Sequence, residues 1–182
     1  VGSSQDVNFA YGMNPATFRD RYYEAERLIL EAWTNPEVFA FDGKYNQIRY
    51  VNIWPRPLQQ PHPPIWIPGG GSIETWGWCL EKSYLYAYLS YSGFKRGKLV
   101  MDGFWKKADE LGVERNPYHA GFLQLVAVGE SESEVEERFG PHGEYFYNKM
   151  LHVYSGFQDA PGYRTIDTLK MGLLGQTTRF GD

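Results

Sequence analysis

Apolar residues change their spacing several times along the chain, and each change marks an element. Phe18, Tyr22, Ala25, Ile29, Ala32 and Trp33 recur at helical intervals and line one face. Asn14-Pro15 supplies a start, Asn as N-cap and Pro at the first helical position, and Thr34-Asn35-Pro36 supplies a stop. The pattern predicts a helix over 14–33, with Arg19, Arg21, Glu24, Glu26, Arg27 and Glu31 on its solvated side. A connector follows over 39–57, with a turn at Asp42-Gly43 and a short strand or extended arm over 49–54. Prolines at 55, 57, 61, 63 and 64 keep the next stretch extended. Ile65-Trp66-Ile67 then reads as a buried strand. The spacing turns helical over 73–81 and strand-like over 84–91. It turns helical again from Phe94 through Val100 or Met101, Phe104, Ala108 and Leu111, with Gly112 as C-cap. The clearest strand spans 121–128. Ser131-Glu132-Ser133-Glu134 forms a capping box opening a helix that Pro141 and Gly143 interrupt and that 144–152 resumes. Val1 reads as the end of one further strand. From 153 onward Gly, Pro, Asp and Thr dominate, with only a short helix near 165–173.

The order is strand–helix four times, with near-continuous apolar strands. That predicts an α/β fold with a parallel sheet and helices outside it. A doubly wound sheet is complete at this length, whereas a (β/α)8 barrel needs about 250 residues, so this chain would be part of one. Spacing does not choose between them. The absence of a G-x-G-x-x-G fingerprint counts against a doubly wound dinucleotide-binding domain.

Composition narrows the function classes. The 182 residues carry a net charge of −4 with no basic run, which argues against nucleic acid as a partner. The aromatic share of 17%, with six Trp and 14 Tyr, supplies large amphipathic side chains for a cavity, a partner surface or a Tyr-rich core. A single cysteine, Cys79, excludes an internal disulfide and a cysteine metal cluster; beside Trp78 and Leu80 it reads as a buried, inert thiol. No run is apolar and long enough to span a membrane and no signal peptide is visible, which points to a cytoplasmic protein without membrane contact. The four histidines show no metal spacing, so no metal site is expected. His62 and His119 precede strands, His142 and His152 follow the last one, and all four read as packing or surface residues.

The chemistry concentrates at 63–72. The apolar strand runs into Gly69-Gly70-Gly71, and Ser72 stands at the N-cap of the next helix. Glycine lets backbone N–H groups approach an anion, and the first helical turn offers further N–H groups and a positive dipole end. The bland alternative is a tight strand–helix turn with no ligand.

Four pieces in register carry a resemblance: Arg21-Tyr22-Tyr23-Glu24-Ala25-Glu26, Phe41-Asp42-Gly43-Lys44-Tyr45, Trp54-Pro55-Arg56-Pro57-Leu58-Gln59, and the Pro-Pro-Ile strand entering Gly-Gly-Gly-Ser. Together with the strand at 121–128 and its capping box, they resemble the bacterial luciferase-like, flavin-dependent monooxygenases over roughly 1–139. The resemblance implies a partial (β/α)8 TIM barrel of about four consecutive βα units. The whole of 1–182 would be a fragment of one barrel domain, inactive alone, and 153–182 an irregular insertion before a missing last strand. It implies reduced FMN and O2 acting on a small organic substrate, with a flavin reductase and a second copy of the chain as partners. Alternatives on the same barrel are a deazaflavin-dependent oxidoreductase and a non-catalytic flavin-binding barrel. By resemblance, the phosphate contacts fall on Gly70, Gly71, Ser72, Tyr22 and Arg21, and Ser3 and Ser4 contact the flavin ring or ribityl chain. No acid–base set stands out, as expected where a cofactor carries the hard chemistry.

Overall fold

The computed structural model describes residue 8, residues 10–90 and residues 93–146. The predicted strand at Val1, the stretch 153–182, its helix near 165–173, and His152 lie outside them, as do Ser3 and Ser4. The described residues cluster into two compact units that divide between Ile65 and Trp66.

In the first unit a 3-10 turn, Pro15–Thr17, leads into helix α1, Phe18–Thr34. Asn14 caps the 3-10 turn, its Oδ1 accepting from the Ala16 N–H at 3.0 Å. The helix ends where the Asn35 N–H donates to the Glu31 carbonyl at 2.8 Å. The expected connector is a hairpin: β1, Phe39–Asp42, pairs antiparallel with β2, Gln47–Val51. This hairpin alters the predicted faces of α1. Ala32 is buried as expected, but Ile29 is 46% exposed, and Glu24, predicted on the solvated side, is only 5% exposed. The reason is the 43–46 turn, whose backbone N–H groups close over the Glu24 carboxylate. Arg56 ties the Pro-rich lead to the end of α1 by donating to the carbonyls of Asn35 and Pro36.

The second unit is a parallel sheet. Strands β3, Trp66–Gly69, β4, Leu85–Ser90, and β5, Ala120–Gln124, lie side by side in chain order. Helix α2, Ile73–Glu81, joins the first pair, and α3, Gly93–Glu110, follows β4. Ile67, Tyr86, Tyr88 and Ser90 share one sheet face and are buried together with Trp76, Cys79 and Leu80 of α2 and Val100, Phe104 and Ala108 of α3. Tyr86 stacks on Phe104 at 5.2 Å between centroids and meets the Trp76 indole edge-on at 6.5 Å.

Two glycines let α3 settle this closely. A Cβ on Gly97 would lie 3.1 Å from Ser90 Oγ, and one on Gly103 would lie 2.6 Å from the Trp76 ring. Trp76 is itself buried, so the ring has little room to yield. Gly103→Val is expected to destabilise the protein by about 1–3 kcal/mol, measured by urea unfolding followed through tryptophan fluorescence. An unchanged midpoint would mean that α3 does not pack on Trp76 as described.

Several expectations shift. Val100 and not Met101 is buried, and Phe94 is 67% exposed. The last strand pairs only as far as Gln124, because its partner β4 ends at Ser90; Val126 and Val128, predicted within it, are exposed. Helix α4, Glu132–Tyr145, runs through Pro141 instead of breaking there. Proline removes one N–H donor and crowds the preceding turn, yet the helix continues to Tyr145. The α/β class holds, with three parallel strands and their helices among the described residues.

Candidate functional site

The Gly-rich turn sits at the C-terminal end of β3. Gly69 lies against Tyr86: a Cβ there would fall 2.8 Å from the ring. Gly71 is buried, with φ at +101°, a conformation open to glycine at little cost. Its N–H donates to the Tyr86 hydroxyl at 3.1 Å. The predicted Gly71 donor therefore points into the protein. Gly70 differs: it is exposed, and a Cβ there would meet nothing within 4 Å. The space where a Gly70 side chain would stand is therefore open.

Ser72 stands at the N-cap of α2 with extended backbone, as predicted, but its side chain makes no capping bond to the helix. Its hydroxyl donates to Glu74 Oε2 at 2.5 Å. Its carbonyl accepts from the N–H groups of Thr75 and Trp76. Glu74 thus brings a negative charge to the helix end where an anion would dock, and the dipole favours it there. The Ser72 hydroxyl is thus engaged by Glu74.

Tyr86 is fully buried, and burial pushes its phenol up to about 12, against partial relief from Trp76 and the Gly71 N–H. It stays neutral and accepts from Gly71, which fixes the turn from below. Cys79 is free and buried, and burial pushes its thiol up to about 12, so the inert reading of this thiol stands. At the end of β4, Ser90 is buried and bonded to Gln124 Oε1 at 2.7 Å, which joins β4 to β5.

The other two described candidates lie on α1 in the first unit. Tyr22 is half-buried, its ring 6.1 Å from that of Tyr23. Arg21 was read as a solvated helix position, but its guanidinium lies 4.5 Å from the centroid of the Tyr45 ring, and its Nε donates to Thr17 Oγ1 at 3.2 Å. Among the described residues no carboxylate forms an ion pair with it. Beside it the Glu24 carboxylate accepts from the N–H groups of Lys44, Tyr45 and Asn46 at 2.7–2.8 Å and from Asn46 Nδ2 at 3.0 Å. Burial alone would push this carboxyl up, but the bonds from Tyr45, Asn46 and Lys44 outweigh it and hold it below the usual range.

Sequence reasoning missed four residues that shape these two places: Tyr86, Glu74, Glu24 and Tyr45. The Ser-x-Glu spacing was a readable sign of the Ser72–Glu74 bond. The burial of Glu24 had no local sign, since its partners lie 20 to 22 residues away.

Comparison with known proteins agrees with the earlier resemblance. A curated relative, the uncharacterized protein y4wF of Sinorhizobium fredii, is 24% identical over 146 residues, covering 79% of this chain and 41% of that protein. The crystal structure of monooxygenase RslO1 from Streptomyces bottropensis superposes with a TM-score of 0.66 at 17% identity, covering 84% of this chain and 46% of that one. The chain thus spans less than half the length of these relatives, and the structural likeness speaks for the fold alone. The profile of the luciferase-like monooxygenases matches residues 1–180, and the chain belongs to that family.

Proposed function

We propose that this chain carries the phosphate-binding part of a flavin-dependent monooxygenase site, using reduced FMN and O2 on a small organic substrate. The observation that carries this reading is the exposed Gly70, with open space where a side chain would stand, at the C-terminal end of a parallel strand and ahead of an α-helix. The donor set fits a phosphate monoester with one condition. Gly70 gives close backbone approach, and Ser72 gives a hydroxyl once it leaves Glu74. Gly71 serves indirectly, as the link that Tyr86 holds. When bound, the flavin supplies the oxygen chemistry, and this chain's residues bind and orient it.

Gly70→Val tests this cleanly. Its backbone is not left-handed and the added side chain meets open space, so folding should be spared. FMN binding is expected to weaken by about 1–3 kcal/mol while riboflavin, which lacks the phosphate, binds as before. A folded variant with unchanged FMN affinity would remove the turn from the site. A deazaflavin cofactor also carries phosphate, so the turn serves both readings. Oxygen uptake with reduced FMN, set against reduced deazaflavin, separates them. Tight flavin binding without oxygen uptake on any aldehyde, alkane or sulfonate would favour a non-catalytic barrel.

A further inference from the structure

The 43–46 turn is an anion hole that the protein fills with its own side chain. The backbone N–H groups of Lys44, Tyr45 and Asn46 and the Asn46 side-chain amide converge on the Glu24 carboxylate at 2.7–3.0 Å, and Glu24 is only 5% exposed. Successive N–H groups in a turn form a concavity for a negative charge. The fit is close, since a Cβ on Gly43 would lie 2.5 Å from Glu24 Oε1. Helix and hairpin both belong to the first unit.

All four of these partners are donors, so the hole suits a carboxylate and not a carboxylic acid. Protonation would place an O–H among N–H groups. Asn46 can turn its amide oxygen toward that proton. The three backbone donors cannot turn, because the pairing of β1 with β2 and the bond from the Gly43 N–H to the Asn46 carbonyl at 2.9 Å fix the tip. A buried N–H that loses its acceptor is costly, and lifting the tip off α1 returns it to water.

We propose that Glu24 is an acid-released latch: its charged carboxylate docks the 43–46 tip on α1, and its protonation frees the tip while α1 and the β1–β2 ladder stay formed. The freed tip carries the Tyr45 ring away from the Arg21 guanidinium, which lies 4.5 Å from its centroid in the docked state.

The charged and titratable neighbours lie on both elements. Lys44 and Tyr45 belong to the tip itself, and Asp42 precedes it at the end of β1. Asp20, Arg21 and Arg27 stand within about a turn of Glu24 on α1. Lys44 is attracted by both Glu24 and Asp20. Burial raises the Glu24 carboxyl, but the bonds from Tyr45, Asn46 and Lys44 outweigh it and hold it below its ordinary 4.5. A folded value below the unfolded one means that docking is at full strength above 4.5 and is lost as pH falls through the folded value.

The test follows the backbone amides of Lys44, Tyr45 and Asn46 in the full chain by NMR from pH 7 to pH 3, with the Gly71 amide of the second unit as a control for global unfolding. The three tip amides are expected to shift together, with one midpoint below 4.5, while Gly71 keeps its protection. Glu24→Gln has the size of the acid without its charge, so at pH 7 its tip amides should exchange about tenfold faster or more, the scale of one charge-assisted hydrogen bond. Glu24→Ala empties the hole, and added formate should restore the docked amide shifts saturably where formamide, neutral and of similar size, does not. A tip that stays protected in Glu24→Gln overturns the latch. So do tip amides that do not move, that move with separate midpoints, or that are lost only together with Gly71. Rescue by formamide as good as by formate shows that volume and not charge holds the tip, which also overturns it. If Glu24→Gln fails to fold, the titration of the unaltered chain decides.

Discussion

Above pH 9 the protein is expected to lose stability steeply and to unfold cooperatively before pH 12. Two adjacent acids in the second unit are kept protonated by burial: the Cys79 thiol, raised from 9.0 to about 12, and the Tyr86 phenol, raised from 10.0 to about 12. In the unfolded chain both ionise at their ordinary values. A folded value above the unfolded one means that the folded state retains the proton longer. The stability each contributes is complete below its unfolded value and is lost as pH rises through the folded one. For Cys79 the window opens near 9 and for Tyr86 near 10. At about 1.36 kcal/mol per unit, Cys79 accounts for on the order of 4 kcal/mol and Tyr86 for on the order of 3. These are upper bounds, and each charge makes the other harder to form. Even half their sum is a large share of a typical net stability of about 5–15 kcal/mol. Circular dichroism between pH 8 and 12.5 measures the transition, and Cys79→Ala should move its midpoint upward. A midpoint that Cys79→Ala leaves in place would show that this thiol is not what the alkaline limit depends on.

Phe104→Ala is expected to destabilise the protein by about 3–5 kcal/mol. Phe104 has no exposed surface, stacks on Tyr86 with an interplanar angle of 13°, and meets Trp105 edge-on at 5.0 Å. Truncation removes the buried ring and leaves a cavity beneath the same tyrosine whose hydroxyl holds Gly71. Collapse into that cavity is restrained on both sides, by β4 below and by α3 close-packed through Gly97 and Gly103. The effect therefore has two parts. Urea unfolding should show the stability loss, and FMN affinity should fall by more than riboflavin affinity as Tyr86 drifts and the turn loosens. A loss below about 1 kcal/mol would mean that the surrounding side chains refill the space.

Much of the fold was legible in the local pattern. The helix over 73–81 has the predicted bounds, the Asp42-Gly43 turn joins two strands, and Ser131 caps α4 by accepting from the Glu134 N–H at 3.2 Å. These features depend on residues within a turn or two of each other, where spacing and capping chemistry act directly. Gly71 was likewise readable as a glycine position, because a sharp strand–helix turn needs backbone freedom that only glycine gives at little cost.

The direction of each polar group was decided elsewhere. Gly71 offers its N–H inward because Tyr86, 15 residues later on the neighbouring strand, places a buried hydroxyl that needs a partner. Ser72 faces Glu74 instead of capping the helix or opening to solvent. Glu24 looked like one more charge on a solvated helix face. It is buried because a hairpin 20 residues downstream folds its N–H groups over the carboxylate. The sequence by itself determined the alternation of strands and helices and the place of the glycine turn, since hydrophobic period and turn chemistry are local. Only the tertiary structure decided which donors remain open to a ligand and which charge serves as a pin, because a buried polar group must find its partner wherever packing places one.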